Sequence, residues 1–100
     1  MATIGTFTRS GNEFKGSIST LFIQAKNVRF VPEDNHGNDK APTHRMFSGT
    51  TVIGAAWSKK NREEREYLSV KFDDPSFAAP VYATLNRNDE DGSFSLIWSR

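Results

Sequence analysis

"REYLSVKF", residues 65–72, is the stretch on which the reading of this chain turns. Glu66, Leu68, Val70 and Phe72 fall on one side of it, and Arg65, Tyr67, Ser69 and Lys71 on the other. A period of two is the mark of a strand with one face turned to a core, and a helix would spread the same apolar residues around its circumference. Upstream, "VIGAAWSKK" (52–60) reaches it through "NREE" (61–64), so the two runs read as a hairpin. Downstream, the turn-rich "DDPSFAAP" (73–80) leads to a further strand, "VYATLNR" (81–87). "NDEDG" (88–92) then turns the chain into a final strand, "SFSLIWS" (93–99).

The N-terminal half carries the same texture. "TIGTFTR" (3–9) meets the turn "SGNE" (10–13) and returns through "FKGSISTLFI" (14–23), with Gly11 free to take a positive φ. A third run, "QAKNVRFVPE" (24–33), stops at Pro32. "EDNHGNDKAPTH" (33–44) is polar and contains Pro42, so it is expected to be one long mobile loop. Beyond it, "SGT" or "GTT" supplies a turn between a strand ending near Phe47 and one starting near Val52. No stretch has helical periodicity. The expectation is a single all-β domain over residues 1–100: a small antiparallel barrel or strongly twisted sheet of six to seven short strands. Its core is drawn from Phe14, Ile18, Ile53, Leu68, Val70, Phe72, Leu85, Leu96 and Trp98. Free edges at the two chain ends are expected to pair between subunits and give a homodimer.

Composition removes several function classes. With no cysteine, the chain can build neither a disulfide framework nor a zinc ribbon nor a thiol nucleophile. "MATIGTFTRSGNEF" lacks the basic and apolar regions of a signal peptide, and no apolar run approaches the roughly 20 residues of a membrane helix. A cytoplasmic location is expected. Thirteen basic and 12 acidic residues give a formal charge of +1, too balanced for a protein that coats duplex DNA by charge alone.

Catalytic signatures are missing as well. His36 and His44 sit with Asp34 and Asp39 in the polar segment, where a solvated loop explains them and a metal site would need three or more such groups held rigidly. If Gly92 were the sixth position of a calcium loop, the first would be Arg87 and the twelfth Trp98, so both ends of the ligand set fail and "NDEDG" reads as a turn. Asp73 and Asp74 precede Pro75 in a turn-initiating place. There is no G-x-S-x-G elbow, Walker loop or dinucleotide fingerprint. The expectation is a protein that is not an enzyme and uses no metal or other cofactor.

What remains is the hairpin around the opening stretch. Trp57 is followed by Lys59 and Lys60, Arg62 lies in the turn, and Tyr67 shares its face with Arg65 and Lys71. Aromatic planes bordered by cations suit single-stranded DNA or RNA, whose bases stack on rings while phosphates meet the cations. Glu63, Glu64 and Glu66 dilute the field. The alternative is a protein-interaction or regulatory module that docks a transfer or regulatory protein through the same hairpin or a strand edge, with Trp57 and Tyr67 as anchors.

Five blocks, "MATIGTF", "DKAPTHRMF", "IGAAWSKK", "EYLSVKFDDPSFAAPVYATL" and "FSLIWSR", run from end to end of the chain and together resemble the bacterial family called domain of unknown function 736. The resemblance implies a small cytoplasmic protein of a plasmid or integrative conjugative element, encoded near transfer and maintenance genes, with a DNA-related or regulatory accessory role. The family usually writes a glycine in the turn before the tyrosine block, as in "REGRDYLSV". This chain has "REEREYLSV", with Glu64 at that place, and a reshaped loop is expected there.

Overall fold

The computed structural model describes residues 2–21, 24–34, 37, 40–72, 74–75, 78–88 and 90–98. Alternation of apolar and polar residues produces eight strands: β1 (Ala2–Ser10), β2 (Glu13–Ser19), β3 (Gln24–Pro32), β4 (His44–Ser48), β5 (Thr51–Lys60), β6 (Glu66–Phe72), β7 (Val81–Arg87) and β8 (Phe94–Trp98). Each pairs antiparallel with the next, and β8 returns to β1 to close a barrel. Eight strands stand where six to seven were expected, and the turn between β4 and β5 falls where the sequence places it, with Gly49 at φ +63°.

Closure overturns the expectation of free edges. Ala2 faces Trp98 and Phe7 faces Phe94 across the β1–β8 ladder, so the two terminal strands satisfy each other. The edge-pairing argument for a homodimer therefore loses its premise. A second correction concerns His44, which opens β4 rather than belonging to the loop before it. That loop is fastened at both ends: Glu33 N donates to Thr43 O at 2.9 Å, Thr43 N donates to Ala56 O at 2.9 Å, and Arg45 pairs with Glu33 at 2.8 Å. His36 and Asp39 lie outside the described residues.

The inward faces fill the barrel. Phe7, Val28, Phe30, Met46, Ala56, Val70, Leu85 and Leu96 are all but sealed from solvent, and of the core residues expected from sequence, Phe14, Ile18, Leu68 and Phe72 are buried too. Ile53 and Trp98 are partly buried and pack against this cluster. Eight strands give an interior just wide enough for side chains to fill. The tight curvature needs positions without a side chain. A Cβ on Gly16 would collide with Thr6 O and stand 2.8 Å from Phe7 Cα, and one on Gly54 would stand 2.5 Å from Lys71 O. Bulges between Thr3 and Gly5, Gly16 and Ile18, and Met46 and Phe47 add to the bend.

The β5–β6 turn is organised by Asn61. Its backbone N–H donates to Arg65 O at 3.0 Å and its carbonyl accepts from Glu64 N at 3.0 Å, while its side-chain Oδ1 accepts from Glu63 N and Arg65 N at 2.9 and 3.0 Å. Glu64 has φ +60°. This is a three-residue hairpin loop ending in a left-handed residue, a place that favours glycine. Glu64 thus holds, with a side chain attached, a conformation that favours glycine.

Candidate nucleic-acid interface

Strand alternation divides the seven candidate residues between two surfaces. Ala56, Leu68 and Val70 are buried, so their neighbours Trp57, Tyr67, Ser69 and Lys71 turn outward, and Lys59 with them. The register places Lys59 opposite Tyr67, Trp57 opposite Ser69, and Ala55 opposite Lys71. Trp57 and Tyr67 are therefore diagonal neighbours, a spacing of about 7–8 Å between strands. Arg62 projects from the exposed turn, and exposed Arg65 leads into β6. Lys60 does not join this face: it stands opposite Glu66 on the alternating side, which turns toward the end of the barrel. Four of the seven, Trp57, Lys59, Tyr67 and Lys71, thus share one face, with Arg62 and Arg65 at its turn end.

Trp57 is held in place. Its indole Nε1–H donates to Lys40 O at 3.0 Å, which draws the end of the 33–43 loop across the outside of β5, and Ser58 N donates to Thr43 Oγ1 at 3.0 Å beside it. The ring is half-buried by this contact rather than free on both sides. Below it a shallow depression of about 290 Å³ is lined by Arg45, Val52, Ile53, Ala55, Trp57 and Lys71 among others.

Two residues of this face escaped the sequence reading. Arg45 is opposite Ala55, and Tyr82 is opposite Lys71 and 58% exposed. Both follow from alternation: His44, Met46 and Ser48 take one side of β4 and leave Arg45 to the other, while buried Ala83 and Leu85 send Tyr82 outward. The face thus runs across four strands: Arg45 on β4, Trp57 and Lys59 on β5, Tyr67 and Lys71 on β6, and Tyr82 on β7.

Other candidates have turn or packing roles. Asp91 Oδ1 accepts from Ser93 N at 2.9 Å and from Ser93 Oγ at 2.7 Å, bonds that lower its pKa and tie the β7–β8 turn. Asp34 is exposed, and Asp73 lies outside the described residues. His44 has both ring nitrogens within bonding distance of a neighbour, Nδ1 at 3.0 Å from Thr43 Oγ1 and Nε2 at 3.2 Å from Asn12 O. Among the described residues no three His, Asp or Glu side chains gather as a metal site would require, and no helix is long and apolar enough to cross a membrane.

Fold and surface together define a small closed eight-stranded antiparallel barrel with an aromatic and cationic outer face. The chain belongs to the domain of unknown function 736 family: the model of that family, described as a protein of unknown function (DUF736), matches residues 3–100. Comparisons with curated proteins and with solved structures give no match.

Proposed function

We propose that the protein is a non-enzymatic, cytoplasmic accessory factor of a mobile element, binding single-stranded DNA or RNA weakly and with little sequence preference through the outer face of β5 and β6. One observation carries the reading: Trp57 and Tyr67 are diagonal neighbours on a face that also holds Lys59 and Lys71. Bases stack on such rings for about 1–3 kcal/mol each, and the cations supply the phosphate contacts. Arg45 and Tyr82 extend the track across β4 and β7.

The test is a binding titration with a short oligonucleotide over a range of salt. Tyr67→Ala is expected to cost about 1–3 kcal/mol of affinity, whereas Lys59→Ala reduces the salt slope by about one unit. Lys60→Ala, altering the other side of the same strand, is expected to do less than Lys59→Ala.

A second reading rests on Val52, 52% exposed in the lining of the depression beside Arg45 and Lys71, and on Tyr82, 58% exposed and opposite Lys71. Aromatic and arginine side chains around an apolar dip suit a docked transfer or regulatory protein, or a second copy of this chain. Closure of the barrel moves this docking from a strand edge to a face. An apolar protein contact is insensitive to salt, so a flat salt dependence favours it.

A further inference from the structure

One end of the barrel holds a cavity of about 460 Å³ that meets the nucleic-acid face only at Arg65 and Tyr67. Its lining includes Phe14, Leu68, Leu85 and Phe94 as a floor, with Arg9, His44, Ser58, Glu66 and Arg87 as walls and Arg65 and Tyr67 at the rim. The size lies within the roughly 300–1,000 Å³ typical of small-molecule sites, and barrel mouths are a usual place for them.

The strand register explains how cations and rings meet here. Arg9, next to the last residue of β1, stands opposite Phe14, and Arg87 ends β7 opposite Phe94, so two arginine–phenylalanine pairs lie at the rim of the core. The Phe14 and Phe94 rings are edge to face at 4.9 Å, and Phe14 also meets the His44 ring at 5.7 Å. Arg9 is pre-positioned: its guanidinium lies 5.7 Å from the Phe14 centroid and its Nε donates to Gly11 O at 2.9 Å. Among the described residues no carboxylate forms an ion pair with Arg9 or Arg87. Glu66, the carboxylate in the lining, stands opposite Lys60 across the strand pair.

We propose that this mouth is a second binding site, taking a small organic anion whose flat apolar body rests on Phe14 and Phe94 and whose phosphate, sulfonate or carboxylate group is gripped by Arg9 and Arg87. Guanidinium forks match such oxyanions bidentately, and the ring floor excludes water from the bond. The cationic character of the mouth reaches His44, whose pKa is lowered first by burial, with the Asn12 carbonyl opposing and the Arg9 charge adding to the fall.

Phenyl phosphate is the probe, with inorganic phosphate as its anionic part alone and benzylamine as a ring bearing the opposite charge, each followed by backbone amide shifts in solution. Phenyl phosphate is expected to give saturable shifts at Asn12, Phe14 and Phe94, inorganic phosphate to bind about tenfold more weakly, and benzylamine to leave these amides in place. Arg87→Gln should weaken phenyl phosphate about tenfold, and Arg87→Lys should recover part of that loss because charge returns without the fork. Arg87 is exposed at a strand end, so both variants fold. Lys71→Ala, on the outer face, should leave phenyl phosphate binding unchanged while weakening oligonucleotides, which separates this site from the one proposed above. The proposal is overturned if no saturable shift appears at the mouth up to about 10 mM probe, if benzylamine binds as well, or if Arg87→Gln has no effect.

Discussion

The same eight strands finish the two ends of the barrel in opposite ways. At one end Ile18, Ala25, Ile53, Phe72, Val81 and Trp98 close the interior with apolar side chains. At the other, inward positions pass to Arg9, His44, Glu66 and Arg87 around half-buried Phe94, and a cavity opens. The same strands run from one end to the other, so the difference lies in which residues the sequence places at inward positions at each end. An apolar plug stabilises the fold, whereas charged side chains around an opening contribute little to stability and are free to meet a ligand.

The largest expected effect tests that division directly. Phe72→Ala at the plugged end, where the ring is 3% exposed, should cost about 3–5 kcal/mol in urea unfolding. Phe94→Ala at the mouth should cost about half as much because its ring already borders open space. Equal losses would break the comparison. Next in size is Trp57→Phe, which removes the hydrogen bond to Lys40 O and should cost about 1 kcal/mol. It should also raise hydrogen exchange in residues 40–43, where the loop crosses β5.

A smaller gain is expected from Glu64→Gly. The left-handed φ of +60° costs a side-chain-bearing residue about 1–2 kcal/mol. Glycine loses about 0.4–1 kcal/mol of that through its freer unfolded chain, leaving a net stabilisation of about 0.5 kcal/mol. The smallest effect is pH-dependent. His44 has a folded pKa below its ordinary 6.5, so the unfolded chain binds the proton more readily. Its contribution to stability is fully present above 6.5 and is lost as pH falls through the lowered value. The charged groups that share its cavity are Arg9 on β1, Arg65 in the β5–β6 turn, Glu66 on β6 and Arg87 on β7. Between about pH 7 and about pH 5 the unfolding midpoint of the wild type should fall further than that of His44→Gln.

Much of the fold was legible because alternation reports which face of a strand is buried. "EYLSVKF" and "VYATLNR" gave their inward residues directly, and Leu68, Val70, Phe72 and Leu85 are buried as expected. Ile4 and Phe7 break the rule by being three positions apart and both buried, a consequence of the bulge between Thr3 and Gly5 that alternation alone does not contain. Closure was hidden for a related reason. Periodicity specifies a strand's face but not its neighbour, and the β1–β8 ladder joins Ala2 to Trp98 from opposite ends of the chain. The outer face was read from adjacent residues of one hairpin, which is why Trp57, Lys59, Tyr67 and Lys71 were found together. Lys60 was misplaced by treating neighbours in sequence as neighbours on a face. The mouth was not legible, since Arg9, His44 and Arg87 come together only through register across the closed barrel.

The two tryptophans offer the most direct measurement on the proposed interface, because one stands on it and the other belongs to the plugged end. Trp57 lies on the outer face and Trp98 packs against the core. Titration of a single-stranded oligonucleotide at low salt, followed by tryptophan fluorescence in Trp57→Phe and Trp98→Phe variants, separates them. The account predicts saturable quenching that persists in Trp98→Phe, disappears in Trp57→Phe and weakens steeply as salt is raised. No quenching and no band shift with single or double strands at low salt would contradict it.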